Sequence, residues 1–178
     1  MTVYILLFRG VGGATQLPTK PLREKLTEAG FENVATYINS GNAVLKSRKG
    51  KAAVLKEVAA ICKREFGFDK DIHMPTLEEW SAVIDNNPFP VPDDGGKFLH
   101  ASWLERTPTA ENIARLKEIA INGDGFEVVG NAAYLSTPKG FSQSKLAERF
   151  DKWIGVPNTA RNWNTVLKMK ELAEKAAV

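Results

Sequence analysis

The chain has 178 residues, a formal net charge of +3 and a single cysteine, Cys62. Its length fits one domain or two small ones, and 43% hydrophobic with 25% charged residues is the balance of a soluble globular protein with a real core. One cysteine excludes an intrachain disulfide, the run Val3–Phe8 is too short to span a bilayer, and the small basic excess is weaker than that of a dedicated nucleic-acid domain. With no signal peptide in view, the expected compartment is the cytoplasm, with no membrane contact.

Tyr4 to Phe8 reads as a central strand buried on both faces. Arg9 interrupts it, and Gly10, Gly12 and Gly13 free the backbone for positive φ. A helix follows from Thr19 or Lys20, with Pro21 in its first turn and Leu22, Leu26 and Ala29 on one face. Gly30 is its natural end, with Phe31 folding back. Asn33–Asn39 is β-rich, Ser40-Gly41-Asn42 makes a turn, and Ala43–Lys46 returns as the partner strand. Gly50–Phe66 fits a second helix ended by Gly67, and Asp71–Met74 is a short edge strand closed off by Pro75. Thr76 and Glu79 form a capping box for a short helix carrying Leu77, Trp80, Ala82 and Ile84. Residues 86–96, rich in proline, glycine, asparagine and aspartate, read as a linker.

A second pass starts at Lys97. Phe98–Leu104 reads as a strand, and Thr109 caps a helix over Ala110–Ile121. Phe126–Val129 and Ala132–Ser136 form a hairpin around Gly130-Asn131, and a turn at 137–140 leads through Ser142 into a helix reaching Phe150 or Ile154. Gly155–Thr159 is expected as a loop and Arg161–Ala176 as the final helix. Gly41-Asn42-Ala43-Val44-Leu45-Lys46-Ser47 resembles Gly130-Asn131-Ala132-Ala133-Tyr134-Leu135-Ser136 at both ends and stands at the same place in the element order. The fold class is therefore α+β, two ferredoxin-like (split βαβ) halves from duplication. The expected boundaries are 1–85 for a βαββαβ half, 86–96 for the linker, and 97–178 for a βαββα half with a final helix.

Few residues could carry chemistry. The turn Arg9-Gly10-Val11-Gly12-Gly13, between a strand and a helix, can cradle an anion with backbone N–H groups, a helix dipole and a guanidinium. It lacks the spacing of a P-loop or a dinucleotide fingerprint, so the plain alternative is a flexible turn with a surface arginine. His73 and His100 have no ligand partners at metal spacing, so no metal is expected. Cys62 reads as a core residue. Ser144 before Lys145 is either a helix cap or the one candidate nucleophile–base pair of a hydrolase-like enzyme, and no partner motif supports the enzyme. Arg161, Asn162 and Trp163 can hold a planar ligand, or Asn162 caps a helix while Trp163 packs on the core.

Three segments, Leu7-Phe8-Arg9-Gly10 with Gly12-Gly13, Leu22…Leu26…Gly30-Phe31, and Thr36-Tyr37-Ile38-Asn39-Ser40-Gly41-Asn42, resemble DUF1697, a mainly bacterial family of unknown function. Tyr134-Leu135…Pro138…Gly140, Ser144-Lys145-Leu146 and Arg161-Asn162-Trp163-Asn164-Thr165-Val166 are similar to the same family. The resemblance implies two ferredoxin-like parts and no established activity. One departure concerns the glycine turn: the family has an Ile-Asn-Val run before its Gly-Gly, where this chain has Val11 alone. The functional expectation is a binding protein for a phosphate-bearing small molecule or nucleotide. Arg9, Gly10, Gly12 and Gly13 would hold the phosphate. Ser40, Gly41, Asn42, Lys145, Arg161 and Asn162 would add polar contacts. No cofactor is expected. The rival is a nucleic-acid-binding module, since exposed faces of split-βαβ sheets can stack bases and Tyr37 and Tyr134 sit on candidate strands.

Overall fold

The computed structural model describes residues 1–39, 41–91, 93 and 96–178. Among them it holds six α-helices and two four-stranded antiparallel sheets. Contacts divide the chain into two units, Met1–Ser81 with Lys168–Val178, and Ala82–Leu167. Ser40 of the expected hairpin turn, and Pro92, Asp94 and Gly95 of the expected linker, lie outside the described residues.

The first unit runs β1 (Thr2–Phe8), α1 (Thr19–Glu28), β2 (Glu32–Tyr37), β3 (Asn42–Ser47), α2 (Lys51–Phe66) and β4 (Ile72–His73), then enters α3 (Leu77–Asp85). Its sheet has the order β2-β3-β1-β4. Tyr4, Leu6 and Phe8 of β1 pack with Leu22 and Leu26 of α1 and Val54, Val58, Ile61 and Cys62 of α2. Burying each such leucine or valine side chain contributes about 1.5–3 kcal/mol. The alternate residues Val3, Ile5 and Leu7 are buried as well, as the unbroken apolar run requires. Helix α1 stops where Gly30 takes φ +89, so that its N–H reaches the Thr27 carbonyl (2.9 Å) and the Phe31 N–H reaches Leu26 (3.3 Å). Thr76 and Glu79 close the expected capping box, each backbone N–H bonded to the other's side chain at 2.8 and 3.1 Å. The tail of the chain is tied to β2 and β3: the Asn33 amide donates to the Ala176 carbonyl and the Lys46 ammonium to that of Ala177.

Strand β2 ends at Tyr37 rather than Asn39. Ile38 takes φ +45 and is 49% exposed, so the chain has already turned there. The period-two reading extended the strand too far because an isoleucine suits a strand better than a left-handed turn.

The second unit runs β5 (Leu99–Leu104), α4 (Ala110–Glu118), β6 (Gly125–Val129), β7 (Ala132–Ser136), α5 (Lys145–Trp153) and β8 (Asn158–Asn162), then enters α6 (Trp163–Ala177). Its sheet order is β6-β7-β5-β8. Leu104, Phe126, Ala133 and Leu135 of the sheet pack with Leu116 of α4 and Leu146 and Phe150 of α5. Thr109 caps α4 by accepting the Asn112 N–H at 3.2 Å.

One expectation fails here. Residues 158–162 form a strand, not a loop leading into a helix, and α6 begins at Trp163. The segment Asn-Thr-Ala-Arg-Asn has no apolar alternation. Its strand character comes from pairing with β5, from His100 opposite Asn162 to Leu104 opposite Asn158. Buried polar bonds support that pairing. Ser102 Oγ donates to Asn158 Oδ1 (3.0 Å), and the Asn158 amide donates to Asp151 (3.2 Å) and to the Val156 carbonyl (3.1 Å).

Candidate functional site

In the first unit the expected residues gather at one end of the sheet, where β1 runs out. The Phe8 N–H donates to the Gly41 carbonyl (2.9 Å), and the Arg9 N–H to the Asp71 carbonyl (3.0 Å). The glycine turn is thus fastened on both sides, by the β2–β3 turn and by the segment entering β4. Gly41, at φ +80, packs so closely that a Cβ would lie 2.6 Å from Val11 and 2.8 Å from Phe8. Only glycine fits there.

Gly10, Gly12 and Gly13 all take positive φ, as their residue type predicts. Gly12 and Thr15 exchange two backbone hydrogen bonds, at 2.6 and 3.0 Å, and form a tight loop. Gly12 and Gly13 face open space on their Cα side. The Lys70 side chain lies across Gly10 and donates to its carbonyl at 3.1 Å. This second cation beside the turn was not foreseen, because it is sixty residues away in sequence. Helix α1 begins after Pro18 with no side-chain cap and no acidic residue in its first turn, an end that favours negative charge.

Asn42 is buried and its amide donates to the Tyr37 carbonyl (3.3 Å), so it closes its own hairpin. Arg9 is half-buried. Cys62 is buried in the α2 face as expected, and desolvation pushes its thiol up to about 12.

The remaining expected residues belong to the second unit. Lys145 is exposed at the start of α5. Ser144 caps that helix, accepting the Ala147 N–H at 3.0 Å while its own hydroxyl donates to Asp124 at 2.7 Å. The serine proton is held by a carboxylate rather than by Lys145, as suits a cap. Arg161 lies within β8 rather than at a helix start. Its guanidinium donates to Thr159 Oγ1 (2.6 Å) and to the Ala160 carbonyl (2.8 Å). Asn162 Oδ1 accepts the Thr165 N–H (3.0 Å) and caps α6, and Trp163 is buried. Tyr134 is fully buried with its hydroxyl on the Val83 carbonyl at 2.7 Å. His100 stacks on Phe141 with ring centroids 4.1 Å apart, and burial pulls its imidazole down to about 4. Among the described residues no three His, Cys, Asp or Glu side chains gather as a metal site would require. Among them, too, no helix is long and apolar enough to cross a membrane.

A solved structure, that of the conserved bacterial protein SP0830 from Streptococcus pneumoniae, matches 97% of this chain and 98% of its own at a TM-score of 0.76 and 24% identity. At that identity the likeness concerns the fold. No curated protein matches the chain. A family model described as "Protein of unknown function (DUF1697)" matches residues 1–134. The matched span holds the glycine turn, the β2–β3 hairpin and the whole first sheet, and the chain belongs to that family.

Proposed function

We propose that the protein binds a phosphate-bearing small molecule or nucleotide at the end of the first sheet, with the turn of Arg9, Gly10, Gly12 and Gly13 as its anion cradle. The observation that carries this reading is the turn itself. Three glycines in left-handed conformations are pinned by hydrogen bonds on both sides, yet two of them face open space. Strained backbone held in place by its surroundings, with room above it, is what a backbone anion site needs. Lys70 and the uncapped start of α1 add positive potential. Gly41 and Asn42 shape the neighbouring turn, and Ser40 lies outside the described residues. Lys145, Arg161 and Asn162 belong to the second unit and are not part of this cradle.

The rival readings have less support. Tyr134, one of two aromatics offered for stacking bases, is fully buried, and Ser144 is committed as a cap. Titration at several salt concentrations separates ligand from nucleic acid. A nucleotide held by one or two cations gives a shallow slope, whereas single-stranded nucleic acid neutralising Z phosphates gives a slope near −0.7Z. Micromolar oligonucleotide binding with a steep slope, and no nucleotide binding, would replace this reading by the nucleic-acid one.

We also propose that the two units descend from one ferredoxin-like βαββαβ ancestor carrying a trailing helix. In chain order the copies are 1–85 and 97–178, joined by 86–96. Both sheets follow the same strand order when the numbering is shifted by four. The bond from Phe8 to Gly41 recurs as Leu104 to Asn131 (2.8 Å), and that from Arg9 to Asp71 recurs as Glu105 to Pro157 (3.1 Å). Thr76 opposite Tyr4 caps α3, and Asn162 opposite His100 caps α6. A trailing helix in each copy explains why 97–178 ends in a helix that had no partner in the sequence reading.

A further inference from the structure

We infer that the ion pair of Lys117 and Glu127 guards the outer edge of β6, and that without it two copies of the chain join β6 to β6. The inference concerns the second unit and is independent of the anion-binding reading above.

Strand β6 has one neighbour in its sheet, β7. The pairing is regular along the whole strand, from Gly125 opposite Ser136 to Val129 opposite Ala132. The two-residue loop Gly130-Asn131 makes Val129 and Ala132 a hydrogen-bonded pair, so by alternation Glu127 and Gly125 also bond to β7. The N–H and C=O groups of Phe126 and Val128 therefore point out of the sheet. Among the described residues they meet no other hydrogen-bond partner. Such a row is a template for another strand. A second copy fits it by symmetry. With a two-fold axis at Glu127, Phe126 of each copy stands opposite Val128 of the other, and each such pair exchanges two backbone hydrogen bonds.

The other sheet edges are closed in different ways. Strand β2 is bulged between Glu32 and Ala35, with Asn33 at φ +51 and its amide tied to the Ala176 carbonyl. Strand β4 has only two residues. On β8 the Arg161 guanidinium folds back onto the Ala160 carbonyl. Bulges, short strands and charged side chains all blunt an edge. Strand β6 has a charged pair that crosses it. Phe126 and Val128 pack on the core with Leu116 of α4, so alternation turns Glu127 to the opposite face of the sheet. Lys117, next to Leu116 on α4, nevertheless reaches Glu127 at 3.1 Å. On its inner side β6 is joined to β7, so the Lys117 side chain passes around the outer edge. There it lies across the backbone groups that a second strand would need. Both side chains stay about half-exposed, at 47% and 44%, and an exposed ion pair adds little stability. Its position, rather than its strength, gives the pair a role.

Sedimentation velocity of the full chain, at concentrations up to about 1 mM, the weak end of specific association, tests this. The parent should keep the mass of one chain. Glu127→Gln, which removes the ion pair and almost no volume, should rise toward the mass of two chains as concentration increases. Adding Val128→Pro, which deletes one outward N–H and leaves the bonds to β7, should return it to one chain. A Glu127→Gln variant that stays at one chain, or a rise that Val128→Pro does not reverse, would overturn the inference, as would a parent that already pairs. Should the proline variant fail to fold, amide exchange in Glu127→Gln decides. Slowing of the Phe126 and Val128 amides by at least about tenfold from dilute to concentrated protein supports the pairing, and no slowing overturns it.

Discussion

The two units put different residues at the same hydrogen-bonded places. Where β1 leaves its sheet stands Arg9, and where β5 leaves its sheet stands Glu105. Gly41 accepts the bond from Phe8, and Asn131 accepts its counterpart from Leu104. The first turn is packed so tightly that only glycine fits, whereas the second is an open two-residue hairpin loop in which the Asn131 amide also donates to the Leu104 carbonyl (3.3 Å). Asn42 and Asn131, matched by the sequence repeat, are therefore one residue out of step in register and do different work. The frame needs a hydrogen bond at this place, not a particular side chain. The glycines and the Lys70 cation peculiar to the first unit are what the anion-binding proposal rests on.

The largest expected effect lies at the trailing helices. Trp163 opens α6 and is buried, whereas Leu77, at the same place in α3, is half-buried. Trp163→Ala should cost about 3–5 kcal/mol in denaturant unfolding, and Leu77→Ala clearly less. Equal losses would break the comparison. Next comes Gly41→Asn, which gives the first turn the residue of the second. A side chain at φ +80 that also meets Val11 and Phe8 should cost about 2–4 kcal/mol. The reciprocal Asn131→Gly should cost about 1 kcal/mol, one hydrogen bond.

His100 and Tyr4 occupy matching places as well. The Tyr4 hydroxyl donates to the Lys49 carbonyl at 3.1 Å, whereas His100 Nδ1 is buried with no hydrogen-bond partner among the described residues. Burial lowers the imidazole from 6.5 to about 4, so the folded state holds it neutral while the unfolded chain takes up a proton. That stability is complete above pH 6.5 and is lost as the pH falls toward 4. The loss is of the order of 2–3 kcal/mol. His100→Gln should flatten this part of the stability–pH curve, and an unchanged curve would contradict the account. The smallest effects are the caps: Thr76→Ala and Asn162→Ala should each cost about 1 kcal/mol.

Much of the frame was legible in local chemistry. The glycine stop after α1, the Thr76–Glu79 box, the Thr109 and Ser144 caps and the Gly130-Asn131 hairpin each depend on residues within a few positions of one another. Strand β8 was not legible, because its polar side chains qualify it only by pairing with Ser102 and its neighbours on β5. Half of the candidate site was legible for the same reason. The glycine turn announces itself locally, but Lys70 reaches it through a side-chain bond to the Gly10 carbonyl across sixty residues, which no spacing rule encodes.

The direct test is calorimetric titration of the full chain and of Arg9→Ala with AMP, with the melting temperature of each recorded. The account predicts measurable binding by the parent, a loss of at least about tenfold in the variant, as removal of a charged hydrogen-bond donor gives, and nearly unchanged melting. A variant that melts several degrees lower, with no binding by either protein, would make Arg9 structural and contradict the site.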